Sequence, residues 1–170
     1  MASWDIGMDE TIAWIKDNMK EGDTALDVGA CDGKWADWIN GYLTLDAIEI
    51  FEPYVEKYNL LKKYREVFVS DIVNFEYEHY DLVIFGDVLE HLTVENAQKV
   101  INYAKKHATH IIVVVPYYYK QEPYDDNEYE RHIQDDLNEE IFDERYPGFE
   151  ILEHPAWNYT YYHCLGNKED

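Results

Sequence analysis

The sequence predicts an α/β fold: a doubly wound sheet of seven strands, mostly parallel, ending in an antiparallel C-terminal hairpin. Three observations predict it. Short apolar runs alternate with stretches of helical spacing from Thr24 to Val115. The first apolar run turns at Gly29 straight into an amphipathic stretch, as a strand does when it feeds a helix packed back on its own sheet. The last two apolar runs, 149–153 and 159–165, are separated by a turn too short for a crossover helix.

Each element has its own signal. Thr11, Ile12, Trp14, Ile15 and Met19 recur at helical spacing, with Asp9 as the expected N-cap. Glu21-Gly22-Asp23 ends this N-terminal helix, which occupies residues 1–22. Thr24 to Val28 is the first strand, and a helix from Lys34 to Ile39 is closed by Asn40-Gly41. Leu43 to Ile50 is the second strand. Pro53 opens a helix that runs to Tyr64, with Tyr54, Tyr58, Leu61 and Tyr64 as its buried stripe. Strands follow at Glu66–Val69 and Tyr80–Asp87, then a helix at Val94–His107. The β-branched run His110–Val115 suits a strand buried on both faces. Leu137–Tyr146 is the last helix, stopped by Pro147-Gly148 ahead of the hairpin. Residues 1–170 read as one domain, with no internal repeat.

Charge narrows the partners. Fourteen Lys and Arg against 36 Asp and Glu give a formal net charge of −22. Such a surface repels nucleic-acid phosphates and anionic lipid heads. It argues against nucleic acid and membrane, and leaves a small molecule or a basic protein as partner. Cys31 and Cys164 stand in no metal or disulfide spacing, which points to a reducing compartment. Met1 to Glu10 carries no basic segment followed by an apolar core. The longest aliphatic run, Ile111–Val115, is far too short to span a bilayer. A cytoplasmic location is expected.

The most informative run is Ala25-Leu26-Asp27-Val28-Gly29-Ala30-Cys31-Asp32-Gly33-Lys34-Trp35. A phosphate-cradling P-loop needs four residues between its glycine and Gly-Lys, then a hydroxyl; here there are three, and Trp35 follows Lys34. The dinucleotide fingerprint needs glycines where Cys31 and Lys34 stand. The run instead resembles the acid-apolar-Gly-x-Gly-x-Gly motif of class I S-adenosylmethionine-dependent methyltransferases, with Cys31 at the middle glycine. Downstream, Asp81-Leu82-Val83-Ile84-Phe85-Gly86-Asp87-Val88-Leu89-Glu90-His91-Leu92 resembles a second motif of the small, single-domain members of that family.

The resemblance implies a Rossmann-like sheet and S-adenosyl-L-methionine as cofactor. It places Asp27, Gly29, Ala30, Cys31 and Gly33 among the cofactor-binding residues. Glu49, at the end of the second strand, would accept the ribose hydroxyls, since two vicinal O–H donors suit one carboxylate. Ile50 and Phe51 would flank the adenine, and Ser70, Asp71 and Ile72 would read its edge. The backbone at Phe85 and Gly86 would hold the ammonium, and Asp87, Val88 and His91 would face the methyl group and the acceptor. His91 and Asp87 are the candidate catalytic residues, with Tyr117 a third proton acceptor.

The spacing Asp87, Glu90, His91 places a carboxylate and an imidazole on one face if the stretch is helical. A similar run ligates a divalent metal in small-RNA 2′-O-methyltransferases, but the pattern needs a further His. His132, His154 and His163 are all available, and none is marked by spacing, so no metal ligand is assigned. Residues 117–134 mix five tyrosines with carboxylates and read as a lid or acceptor loop. The function expected is methyl transfer to a small-molecule acceptor. Two other readings stay open: a cofactor-binding protein without turnover, and an acidic decoy for a basic partner.

Overall fold

The chain is described by a computed structural model covering residues 5–39 and 41–167. Asn40, half of the expected helix stop, and the first four residues of the N-terminal segment lie outside the described residues.

The elements, in order, are α1 (Met8–Asn18), β1 (Thr24–Val28), α2 (Lys34–Ile39), β2 (Thr44–Glu49), α3 (Glu52–Lys57), α4 (Leu60–Lys63), β3 (Glu66–Val69), β4 (Tyr80–Gly86), α5 (Val94–His107), β5 (Ala108–Pro116), α6 (Glu139–Arg145), β6 (Glu150–Ala156) and β7 (Tyr159–Leu165). All seven strands form one sheet in the order β3-β2-β1-β4-β5-β7-β6. The pairings among β1 to β5 are parallel. β7 runs antiparallel to both β5 and β6. The mostly parallel sheet with a closing antiparallel hairpin is therefore as the sequence predicts.

Period-two alternation along the central strands sorts the core into two layers. Leu26, Val83, Phe85, Ile111 and Val113 pack toward Ala97, Val100 and Ala104 of α5 and Phe142 of α6. Ala25, Leu82, Ile84, Ile112 and Val114 pack with Ile12 and Ile15 of α1, Trp35 and Ile39 of α2, and Leu60 of α4. β1 lies between β2 and β4, so the chain winds to one side of β1 and then returns to the other. That reversal opens a crevice at the carboxyl ends of the strands.

Local details differ from expectation. The cap of α1 is Gly7, at φ +82°, and Asp9 lies in the helix's first turn, where its charge still favours the helix dipole. The helix expected over 53–64 is broken: Asn59 sits in the left-handed region at φ +54°, a conformation asparagine tolerates. The break shifts the phase by one residue, so Leu60 is buried and Leu61 is 72% exposed. Tyr54 and Tyr64 keep their expected burial.

Candidate active site

Beyond the carboxyl ends of β1, β2, β3 and β4 lies a cavity of about 240 Å³. Gly29 turns the chain out of β1 at φ +71°, a backbone state that favours glycine. A Cβ there would also come within 2.8 Å of Val88 Cγ2, so glycine lets the β1 and β4 ends approach. The N–H groups of Gly29 and Ala30 donate to the Ile48 carbonyl at 2.8 and 3.2 Å. Cys31 also takes a left-handed conformation, at φ +47°, where glycine would be unstrained. Burial pushes its thiol up to about 12.

Glu49 fastens this loop. The Cys31 N–H donates to Oε2 at 2.9 Å, and the Phe51 N–H donates to Oε1 at 2.8 Å. Burial raises its pKa, and the two backbone donors oppose the rise. Each oxygen retains a further lone-pair direction, so the carboxylate can accept from a ligand as well. At the end of β3, the Asp71 carboxylate accepts the Val73 N–H at 2.9 Å and caps the short 3-10 turn 72–74.

Of the residues expected around the cofactor, Gly29, Ala30, Cys31, Glu49, Ile50, Ser70, Asp71, Ile72, Gly86 and Val88 all line this one cavity, as do Asp87 and His91. Gly33 is buried at the base of the loop, and its N–H closes the turn onto the Ala30 carbonyl at 2.7 Å. Asp27 does not line the cavity. Strand alternation puts it on the face of Ala25, where the Tyr64 hydroxyl donates to Oδ2 and Oδ1 has no partner. Burial raises its pKa to about 7, with Glu49 and Asp32 adding to the rise. The Phe85 side chain is core, packed beneath the site.

Asp87 is not on a helical face with Glu90 and His91. It follows β4 at φ +54°, and the turn after it is a 3-10 helix of only three residues, Leu89–His91. The Tyr159 hydroxyl donates to its Oδ2 at 2.7 Å. His91 reaches the cavity wall, and its Nδ1 faces the Arg131 carbonyl at 3.1 Å. Burial, then the neighbouring His132, lower its pKa to about 4. Tyr117 is buried against Tyr162 and does not line the cavity.

Several cavity-lining residues escape sequence reasoning. Trp35 lines the cavity with a buried indole N–H that has no partner. A Cβ on Gly86 would stand 2.5 Å from that nitrogen, so only glycine fits opposite it. Asn127, Tyr129 and Glu130 come from the irregular segment that roofs the cavity. The Tyr54 hydroxyl donates to Glu130 Oε1 at 3.0 Å, and Gln121 Nε2 donates to the Glu130 carbonyl at 2.7 Å. Lys57 pairs with Asp125. The signal for this roof was the mix of tyrosine and carboxylate; its contacts, 68 to 76 residues apart in sequence, carry no local mark.

The cavity fits the cofactor that the resemblance implies. Its walls offer apolar side chains at Val28, Ile48, Ile50 and Ile72, acceptors at Glu49 and Asp71, and the orphaned Trp35 donor.

Comparison with known proteins agrees. A family model described as a methyltransferase domain matches residues 26–110, which is 85 of the 170 residues. No curated protein matches by sequence. An S-adenosylmethionine-dependent methyltransferase from Clostridium acetobutylicum is similar in structure, with TM-score 0.72 and 14% identity over 94% of this chain and 90% of that one. Magnesium protoporphyrin IX methyltransferase from Synechocystis, solved with its bound S-adenosylmethionine, gives TM-score 0.63 and 18% identity over 94% and 77%. 1,6-Didemethyltoxoflavin-N1-methyltransferase from Burkholderia thailandensis, solved with that compound and S-adenosylhomocysteine, gives TM-score 0.62 and 12% identity over 95% and 79%. With half its length inside the family match, this chain belongs to the methyltransferase-domain family and is a class I S-adenosylmethionine-dependent methyltransferase.

Proposed function

We propose that the chain methylates a small-molecule acceptor, with the cofactor held between the β1 loop and Glu49 and the acceptor entering beside Asp87 and His91. The observation that carries this is the roof. Residues 121–134 cross the cavity and are fastened on both sides, by Tyr54 and Lys57 at one end and by Gln134 at the other. Gln134 Nε2 donates to the Leu89 and Leu92 carbonyls at 2.8 and 3.0 Å. A roofed cavity suits a compact acceptor better than a polymer, and the net charge of −22 disfavours nucleic acid further. The Synechocystis and Burkholderia neighbours, both named for small molecules, support the same class.

The charge of the lining also favours this cofactor over nucleotides. Among the described residues, the lining carboxylates Asp32, Glu49, Asp71, Asp87, Glu128 and Glu130 are met by Lys34 and Arg131 alone. Six carboxylates against two cations repel a polyphosphate and favour a sulfonium. S-adenosylmethionine supplies an electrophilic methyl group. Glu49 accepts from the ribose, Asp71 and the Ile72 backbone read the adenine edge, and the β1 loop with Gly86 confines the methionine part. The chain's main contribution is to hold acceptor and methyl group in line. Asp87 and His91 are the groups we assign to take a proton where the acceptor loses one.

Residues 1–170 are read as one domain, with 117–134 as its acceptor loop. The proposed location is the cytoplasm: both cysteines are free, as a reducing compartment leaves them. Among the described residues no helix is long and apolar enough to cross a membrane.

A thermal-shift series with S-adenosylmethionine, S-adenosylhomocysteine, NAD and ATP tests the cofactor half, since only a bound ligand raises the melting temperature. Stabilisation by the first two alone is expected. Release of S-adenosylhomocysteine is then followed against small amines, phenols and hydroxy acids and against basic proteins. Turnover with proteins alone would overturn the small-molecule reading, and stabilisation by NAD or ATP would overturn the cofactor assignment.

A further inference from the structure

Behind the acceptor end of the cavity, the fold brings together three side chains that the sequence leaves far apart. Glu90 and His91 lie on the 3-10 turn after β4, and His132 comes from the roof segment. Among the described residues these three form the one group whose possible ligand atoms all lie within 4.8 Å of one another. The contact is built in: the Ile133 and Gln134 N–H groups donate to the Glu90 carbonyl at 2.7 and 3.0 Å, clamping the segment to the turn.

The Glu90 side chain is fully buried, and neither carboxylate oxygen has a hydrogen-bond partner. A buried carboxylate without a hydrogen-bond donor among the described residues is costly. Both histidines are already oriented. His91 Nδ1 faces the Arg131 carbonyl at 3.1 Å, and His132 Nδ1 faces the Tyr119 carbonyl at 2.7 Å. A carbonyl only accepts, so Nδ1 carries the proton in each ring and Nε2 presents the lone pair. This is the support that metal-bound imidazoles regularly have: the far nitrogen donates to a fixed oxygen. The two rings meet edge to face at 4.6 Å.

We propose that Glu90, His91 and His132 form a divalent transition-metal site, with its open positions toward the cavity that His91 lines. Two imidazoles and one carboxylate suit Zn²⁺, Fe²⁺, Co²⁺ or Mn²⁺ and leave room for water or an acceptor oxygen. Magnesium and calcium prefer all-oxygen sets. Among the described residues, Asp87 and Glu130 add negative charge near Glu90, which favours a cation.

The site shares His91 with the methyl-transfer reading: a metal on Nε2 takes that lone pair and leaves Asp87 to accept a proton, and the metal's own test needs no cofactor. The full chain, stripped with a chelator and dialysed, is titrated with Co²⁺ and followed by visible absorption, then back-titrated with Zn²⁺. One equivalent of Co²⁺ with the visible bands of nitrogen-ligated cobalt is expected, displaced by one equivalent of Zn²⁺. His132→Ala and Glu90→Gln should each weaken binding at least about tenfold. His163→Ala, which alters the separate His110–His163 pair, should leave it unchanged. The wild-type spectrum is decisive even where a variant fails to fold. Absence of saturable Co²⁺ or Zn²⁺ binding would overturn the proposal. So would binding that survives His132→Ala or is lost with His163→Ala.

Discussion

The two ends of the cavity are built differently. The end we assign to the cofactor is a row of strand-to-turn junctions: Val28-Gly29, Glu49-Ile50, Ser70-Asp71 and Gly86-Asp87. Each is local, a strand's last residue with its next few neighbours. The other end depends on a mostly irregular segment with one 3-10 turn at Glu128–Glu130, laid back across the turn after β4 and held by contacts about 40 to 76 residues apart. Sheet topology alone fixes the first; the second also needs a particular set of polar contacts. The cofactor end should therefore withstand changes to the roof, and the roof should loosen without disturbing the cofactor end.

The largest expected effect separates two buried carboxylates on neighbouring strands. Glu49 has two backbone donors and faces the cavity; Asp27 has one tyrosine donor and faces the core. The folded pKa of Asp27 is about 7 against 3.8 for the ordinary carboxyl. Between these values the folded chain holds a proton that the unfolded chain has lost. Stability therefore falls as pH rises from about 4 to about 7, by up to about 4 kcal/mol. Asp27→Asn keeps an acceptor for Tyr64 and removes the charge. Urea unfolding should find the variant more stable than wild type at pH 8 and nearly equal to it near pH 4. An equal gain at both would mean that Asp27 is not buried as described. Cofactor affinity should be unchanged.

Glu49→Ala should act the other way, on affinity before stability. Two ribose hydroxyls bonded to a charged group contribute about 1.5 kcal/mol each, so S-adenosylhomocysteine should bind about 100-fold more weakly by calorimetry. Full affinity would remove Glu49 from the ribose site. Tyr54→Phe sharpens the contrast between the two ends. It deletes the donor to Glu130, and hydrogen exchange should find residues 121–134 less protected by about 1 kcal/mol, with β1 and β2 unchanged. Loss of protection in both would mean that the two ends are one cooperative unit. The smallest effect is expected at Cys31. Cys31→Gly relieves a left-handed residue at φ +47°, gaining up to about 1 kcal/mol, less what glycine loses in the unfolded chain. A destabilised variant would mean that the thiol's packing outweighs the strain.

The same division explains what the sequence revealed. The mostly parallel sheet with its closing hairpin, the turn at Gly29, and the places of Glu49 and Asp71 at strand ends on the cavity wall were legible, because a strand end and its turn are specified by adjacent residues. The break at Asn59 was missed because one left-handed residue leaves the hydrophobic spacing nearly intact. Asp27 was drawn to the cavity by its motif, but alternation along β1 turns it to the core. The Asp87-Glu90-His91 spacing suggested a helical face, yet the backbone leaves β4 through a left-handed residue and a 3-10 turn. Tyr54, Glu130 and His132 had no local signal, since their partners meet them only after the sheet has formed.

Hydrogen exchange with and without S-adenosylhomocysteine tests the convergence of these strand ends most directly. Added ligand should protect amides at 29–33, 49–51, 70–72 and 86–88 together, with the sheet's far edge, β6 and β7, unchanged. Protection confined to one of these segments, or centred on the hairpin, would contradict a single adenosyl pocket.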